Sequence, residues 1–266
     1  VQCYYHMSYW ANESIGTGWQ GDGYFPAFVV NHVSDECMSQ WRDWGDALAG
    51  YNYKFGGLKI EGGLLEWWGY EPIRKINEFI EKVPDSPLNE ELKATRVAEA
   101  RFLRAFCHFE LARTFGKAPL IVKAQSLTDE LQVAPSSFAD IVKFVKEECD
   151  LYADNLPLSY SDDEAGHATK GAFLALKSRA LLYLASPLNS SDDSRKWADA
   201  AQAAQDVMDL DIYKLYKLTD TPYRSMAFDK TAANKEVIFE RRFTFPEAPH
   251  NIHMMWSLDA VDAGSW

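Results

Sequence analysis

The sequence predicts a mainly all-α protein, a core of paired helices with long irregular loops and minor β structure. Three observations carry that prediction. The stretch Ala98–Val122 places Phe102, Leu103, Phe106 and Phe109 at three- and four-residue steps, so one helix face is an aromatic-aliphatic stripe. The run after Thr169 has apolar residues on nearly every side, the pattern of a helix buried between neighbours. From about Ser194 to Leu210 the chain is rich in small residues, and Trp197, Ala200, Ala201, Ala204, Val207 and Met208 mark one narrow face. Antiparallel helix pairs with alanine-rich contacts and bulky corners are the pattern of tetratricopeptide-like solenoids. No strict repeat of about 34 residues is visible.

Taken in order, residues 1–63 read as an aromatic-rich loop region packed on the core, with weak periodicity and much Gly, Trp and Tyr. Leu64–Val83 reads as a helix through Leu65, Trp68, Ile73, Ile76, Phe79 and Ile80, with Pro72 near its first turns and Pro84 ending it. Glu90–Phe115 is the next helix. Gly116 stands where a left-handed C-cap is wanted, and Pro119 leads into an apolar, strand-like run ending at Val122. Ser137 and Asp140 resemble a capping box opening a helix to about Asp154, and Thr169 caps the one after it. Pro157–His167 is a loop whose acidic cluster, Asp162, Asp163 and Glu164, reads as solvated. The helical core is thus expected over 64–216. The stretch 217–266 begins an irregular, β-containing region in which Lys235–Phe243 alternates as a strand.

Charge and cysteine usage narrow the function. With 27 basic and 39 acidic residues among 266, the net charge is −12, spread along the chain. That excludes a phosphate-binding basic face, hence nucleic acid, and disfavours adhesion to anionic lipid. The four cysteines, Cys3, Cys37, Cys107 and Cys149, share no metal or redox spacing. Cys107 and Cys149 fall within helical patterns and read as small buried apolar residues. Whether Cys3 and Cys37 pair stays open. No apolar run is long enough to span a bilayer and no signal peptide is present, and the chain reads as an incomplete piece.

Four segments, in order, carry a resemblance. AEARFLRAFCHFELARTFGKAPLIV at 98–122 resembles the E-A-R-F-L-R-A … G-x-x-P-L-I signature of the SusD/RagB family. TKGAFLALKSRALLYLASPLN from Thr169 and KWADAAQAAQDVM from Lys196 are similar to that family's next helices, and NKEVIFE from Asn234 to its strand. Together they cover roughly 64–243. The lipidated N-terminal cysteine and the C-terminal half of the family are missing. The resemblance implies an outer-membrane, lipid-anchored nutrient-binding protein facing the cell exterior, which binds glycans without catalysis. It also implies a lid-like role on a SusC-type TonB-dependent transporter, and membrane contact only through an anchor absent from this chain.

Binding sugar without chemistry needs exposed aromatic faces beside planar polar groups. Asp35–Tyr53 has that composition. Trp41, Arg42, Trp44, Asn52 and Tyr53 are the candidate ligand contacts, and Trp256 in the irregular tail is a sixth. Family ligand residues vary with the sugar, so none is carried over by motif. Trp67 and Trp68 point about 100° apart on a helix and read better as core. Trp197, on the alanine-rich face, reads as structural. His250 and His253 lack a third metal ligand, Asp162–Glu164 lacks calcium-loop spacing, and nothing calls for a cofactor. Glu99, Arg101 and Arg104 read as a salt-bridged network at a helix corner. Two other functions stay in view: a protein–protein scaffold that binds no sugar, and a helical-fold glycoside hydrolase. The second would need two carboxylates marked by context, which the sequence does not provide.

Overall fold

A computed structural model describes residues 69–189, 194–215 and 234–240, which belong to one compact unit, Gly69–Glu240. Five α-helices dominate the described residues: α1 (Tyr70–Lys82), α2 (Glu90–Phe115), α3 (Phe138–Tyr152), α4 (Lys170–Ala185) and α5 (Ser194–Met208). Two three-residue strands, β1 (Lys117–Pro119) and β2 (Pro135–Ser137), pair antiparallel with Ala118 opposite Ser136.

The helix ends follow from local chemistry. Asn89 Oδ1 accepts from the Leu92 amide at 2.8 Å and caps α2, whose first turn carries Glu90 and Glu91 toward the positive end of the helix dipole. At the other end Gly116 takes φ 76°, a backbone state in which a side chain is strained, and returns its N–H to Ala112 O. The capping box of α3 is complete: the Asp140 amide donates to Ser137 Oγ, and Ser137 N–H donates to the Asp140 carboxylate. Thr169 Oγ1 accepts from the Ala172 amide and opens α4.

α2, 26 residues long, is the central element, buried almost continuously from Ala98 to Ala112. It touches α1, α3 and α4, while α5 packs on α4. Paired contacts run in opposite order on the two helices: Tyr70 with His108 and Asn77 with Arg104, Arg101 with Tyr152 and His108 with Phe144, Asp150 with Lys177 and Asp154 with Lys170, so α1/α2, α2/α3 and α3/α4 are antiparallel. The core is bound by edge-to-face aromatic pairs, Phe102 on Phe173 at 5.5 Å and Phe109 on Tyr183 at 5.6 Å. Cys107 and Cys149 are buried.

Several expectations change. The strand lies before Leu120 rather than after Pro119, because the backbone of 120–122 is held by side chains instead of a ladder. Phe79 is exposed: Asn77 occupies the buried side of α1 and rotates the buried stripe toward Ile73 and Ile76. Phe106 is only half-buried. α4 is not buried all round: Arg179 and Leu182, one turn apart, are exposed, and Tyr183 keeps one side open while its ring packs on Phe109. On α5 the deepest residues are Ala200 and Ala203, not Ala201, and Met208 is exposed. Trp197 is 42% exposed, because α5 has one described helical neighbour and only a narrow strip meets it. Residues 234–240 form bends, not a strand; Phe239 lies edge-on to Phe102 at 5.1 Å.

Asp211, at φ 50°, turns the chain back after α5 and lays Tyr213 across the first turn of α4. A Cβ at Gly171 would sit 2.0 Å from the Tyr213 hydroxyl oxygen, which explains the glycine in the Thr-Lys-Gly run. Gly171→Ala is therefore expected to cost about 1–3 kcal/mol by overpacking. Urea unfolding of Gly171→Ala, Tyr213→Ala and the double variant checks it, the second change recovering part of the loss caused by the first.

Candidate functional site

Two polar networks radiate from α2, placed there by its own spacing. Arg101 and Arg104 lie one turn apart and converge on one carboxylate of α3, Glu148. Arg104 Nη2 donates to both Glu148 oxygens at 3.0 and 3.1 Å, and Arg101 Nη1 donates to Oε1 at 2.9 Å. Arg104 Nη1 also reaches Asn77 Oδ1 of α1 at 2.9 Å and the Val122 carbonyl at 2.8 Å. Phe144 lies under one guanidinium and Tyr152 under the other. Burial pushes the Arg104 guanidinium below its ordinary value, with Glu148 opposing the shift, and it stays cationic at neutral pH.

The same corner fastens the irregular strap Pro119–Gln125. Tyr70 Oη donates to Pro119 O at 2.7 Å, Asn77 Nδ2 to Ile121 O at 3.1 Å, and Arg74 Nη1 to Gln125 O at 2.7 Å. His108 Nε2 donates to Ile121 O at 3.1 Å, and Glu81 accepts from the Ala124 amide at 2.8 Å. With its Nε2 hydrogen committed to a carbonyl, His108 keeps a bare Nδ1 that is buried without a partner. Burial pushes its pKa down to about 4, the carbonyl opposing and Arg104 assisting.

The second network closes the 157–169 loop onto α2. Arg96 Nη1 donates to Glu99 Oε1 at 2.6 Å and its Nη2 pairs with Glu164. Tyr160 Oη donates to Glu99 Oε1 at 2.7 Å, and His167 Nδ1 lies 2.9 Å from Glu99 Oε2. Burial alone would raise the Glu99 pKa, but the hydrogen bonds from His167 and Tyr160 and the charges of His167 and Arg96 hold it below the usual value. Glu164, expected in a solvated cluster, is thus ion-paired.

A groove of about 350 Å³ runs between the C-termini of α3 and α5 and the start of α4. Its carboxylates are engaged: Asp150 accepts from Lys146 at 2.6 Å and Lys177 at 2.7 Å, and Asp154 from Lys170 at 2.6 Å. Burial pushes the Cys149 thiol on its wall up to about 12, so it is no nucleophile at neutral pH. No helix among the described residues is long and apolar enough to cross a membrane.

Trp41, Arg42, Trp44, Asn52, Tyr53 and Trp256 lie outside the described residues, as do Trp67, Trp68, Cys3, Cys37, His250 and His253. The described unit therefore defines a scaffold: a tetratricopeptide-like stack of helix hairpins whose buried charges hold helices and loops together. Residues 27–184 match the SusD-like family model described as "Starch-binding associating with outer membrane". The chain belongs to the SusD-like family.

The chain is 30% identical over 116 residues to the SusD-like protein P38 of Formosa agariphila, covering 43% of this chain and 22% of that protein. A SusD superfamily structure from Parabacteroides distasonis aligns with TM-score 0.75 at 20% identity, over 95% of this chain and 51% of the other. A SusD-like structure from Bacteroides fragilis aligns with TM-score 0.66 at 27% identity, over 84% and 44%. A laminarin-binding SusD-like protein aligns with TM-score 0.70 at 23% identity, over 91% and 49%. The chain thus spans half or less of the length of these relatives, apart from 51% of the Parabacteroides chain.

Two outcomes follow from the networks. Glu148→Ala leaves two guanidinium groups without their carboxylate and is expected to cost about 3–5 kcal/mol, measured by urea unfolding. Because the folded pKa of His108 lies below its unfolded value, the unfolded chain binds the proton first on acidification. Stability is then lost from about pH 6.5 down to about 4. The depressed Glu99 carboxyl acts in the same direction, its contribution fading as pH falls through the carboxylate range. His108→Gln, which keeps a donor for Ile121 O, should flatten the upper part of that pH profile and leave the lower part.

Proposed function

We propose that the full-length protein is a non-catalytic glycan-binding subunit at the outer face of the outer membrane. In this reading a lipid anchor beyond this chain holds it there, and it hands oligosaccharide to a SusC-type TonB-dependent transporter. The match of residues 27–184 to a family described as starch-binding carries the proposal. The laminarin-binding relative, similar in fold, adds that β-glucans belong in the ligand panel.

The helical unit serves as the frame. Arg101 and Arg104 are committed to Glu148 and a backbone carbonyl, and the groove carboxylates Asp150 and Asp154 to lysines, so these charges are engaged inside the protein. The ligand is taken by the aromatic-rich segment before it, through Trp41, Trp44 and Tyr53 with Arg42 and Asn52, and by Trp256 after it. Aromatic faces cover the C–H sides of pyranose rings, while the guanidinium and amide meet the hydroxyls.

Isothermal calorimetry of the full-length protein against starch, laminarin and other polysaccharides tests the reading, one of them binding. Trp41→Ala and Trp44→Ala should each weaken that binder about tenfold, the loss of one stacking face. Unchanged affinity in both removes the assigned site, and sugar release from any of the polysaccharides removes the non-catalytic reading.

A further inference from the structure

α5 carries more apolar surface than α4 covers. Ala200 and Ala203 are buried, and among the described residues α4 is the helix on which α5 packs. Beside that buried line runs a second one. Trp197, Ala201, Ala204 and Met208 stand at i, i+4, i+7 and i+11, which helix geometry gathers within an arc of about 60°. Trp197 is 42% exposed and Met208 62%, while Ala201 is exposed and Ala204 half-buried. Arg195, Asp199, Gln202 and Asp206 fall on the opposite side by the same geometry. The two apolar lines together span about 160°, wider than one neighbouring helix needs.

In a stack of helix pairs the outermost helix closes the core with a polar outer face. α5 does not: its second line has bulky residues at the ends and alanines between, a relief into which the ridge of another helix fits. We propose that this line seats a further amphipathic helix, supplied by the part of the full-length protein that follows Trp266. This rests on the reading above only in taking the chain as part of a longer SusD-like protein. Two observations select that occupant. The Parabacteroides structure aligns over 95% of this chain and 51% of its own, so a relative with this fold carries about as much chain again. One face of a 15-residue helix presents far less than the roughly 1,200 Å² that a stable interface between separate molecules buries. A segment of the same chain needs no such area, because covalent connection removes the translational cost of association. Asp199, Asp206 and Asp209 on and beside this helix make an anionic bilayer a poor host.

The test uses the full-length protein. p-Benzoylphenylalanine at position 197 should give a light-dependent internal adduct, and peptide mass spectrometry should place its partner after residue 266. Ala201→Cys and Met208→Cys should each react with iodoacetamide at least about tenfold more slowly in the folded protein than in urea, because a seated helix admits the reagent only when it opens. Asp199→Cys, at an exposed position on the polar side of the same helix, should react nearly as fast folded as unfolded. An adduct with a second copy, with the transporter or within residues 1–266 overturns the proposal, as do thiols at 201 and 208 that react as fast as the one at 199. Glycan calorimetry on the same variants keeps the two readings apart. A shielded stripe in a protein that binds no polysaccharide removes the glycan proposal alone, and an open stripe in one that binds removes this one alone.

Discussion

The guanidinium of Arg104 is the point on which the fold depends. It is almost wholly buried, and its two terminal nitrogens reach α1, α3 and the strap from a single position on α2. A cation so placed is tolerable only while every partner stays in register, because desolvation is repaid by geometry and not by proximity alone. That requirement turns three helices and an irregular segment into one unit. Glu148 is shared with Arg101, so α3 is held by two charges one helical turn apart, which limits its rotation against α2.

How much of this was legible depends on distance along the chain. The caps at Ser137 and Thr169 and the turn at Gly116 use groups within a few residues of each other, and the sequence displays them directly. Arg104 and Glu148 are 44 residues apart, so the sequence grouped Arg101 and Arg104 with Glu99 in one salt-bridged set, whereas Glu99 pairs with Arg96 and the two arginines with Glu148. The errors sit at the margins of helix faces. Phe79, Trp197 and Leu182 follow the spacing of a buried stripe, yet each lies where the neighbouring helix no longer reaches. Periodicity tells which side of a helix is apolar, and it does not tell how many sides have neighbours. At Asn77 the hydrophobic pattern fails for another reason: a polar side chain with two partners sits in the core better than an aromatic one without room.

The family was legible for a different reason again. Four segments agreed in order, and each turns out to mark a structural need: a two-network central helix, a glycine beneath Tyr213, an alanine strip against α4, and a phenylalanine on Phe102. Signature residues therefore report the frame. The candidate ligand residues come from composition instead, in Trp-rich segments where no motif constrains identity, and they fall outside the described residues.

The strap from Pro119 to Gln125 is held almost entirely through its carbonyl oxygens. Every residue type owns such an oxygen, so the path of this segment is written in α1 and α2 rather than in its own side chains. At Ala124 a backbone N–H is gripped, by Glu81, and a proline there would break that contact to α1. Elsewhere the strap can change its residues without changing its course, and the segment beyond it can diversify while remaining delivered to the same place.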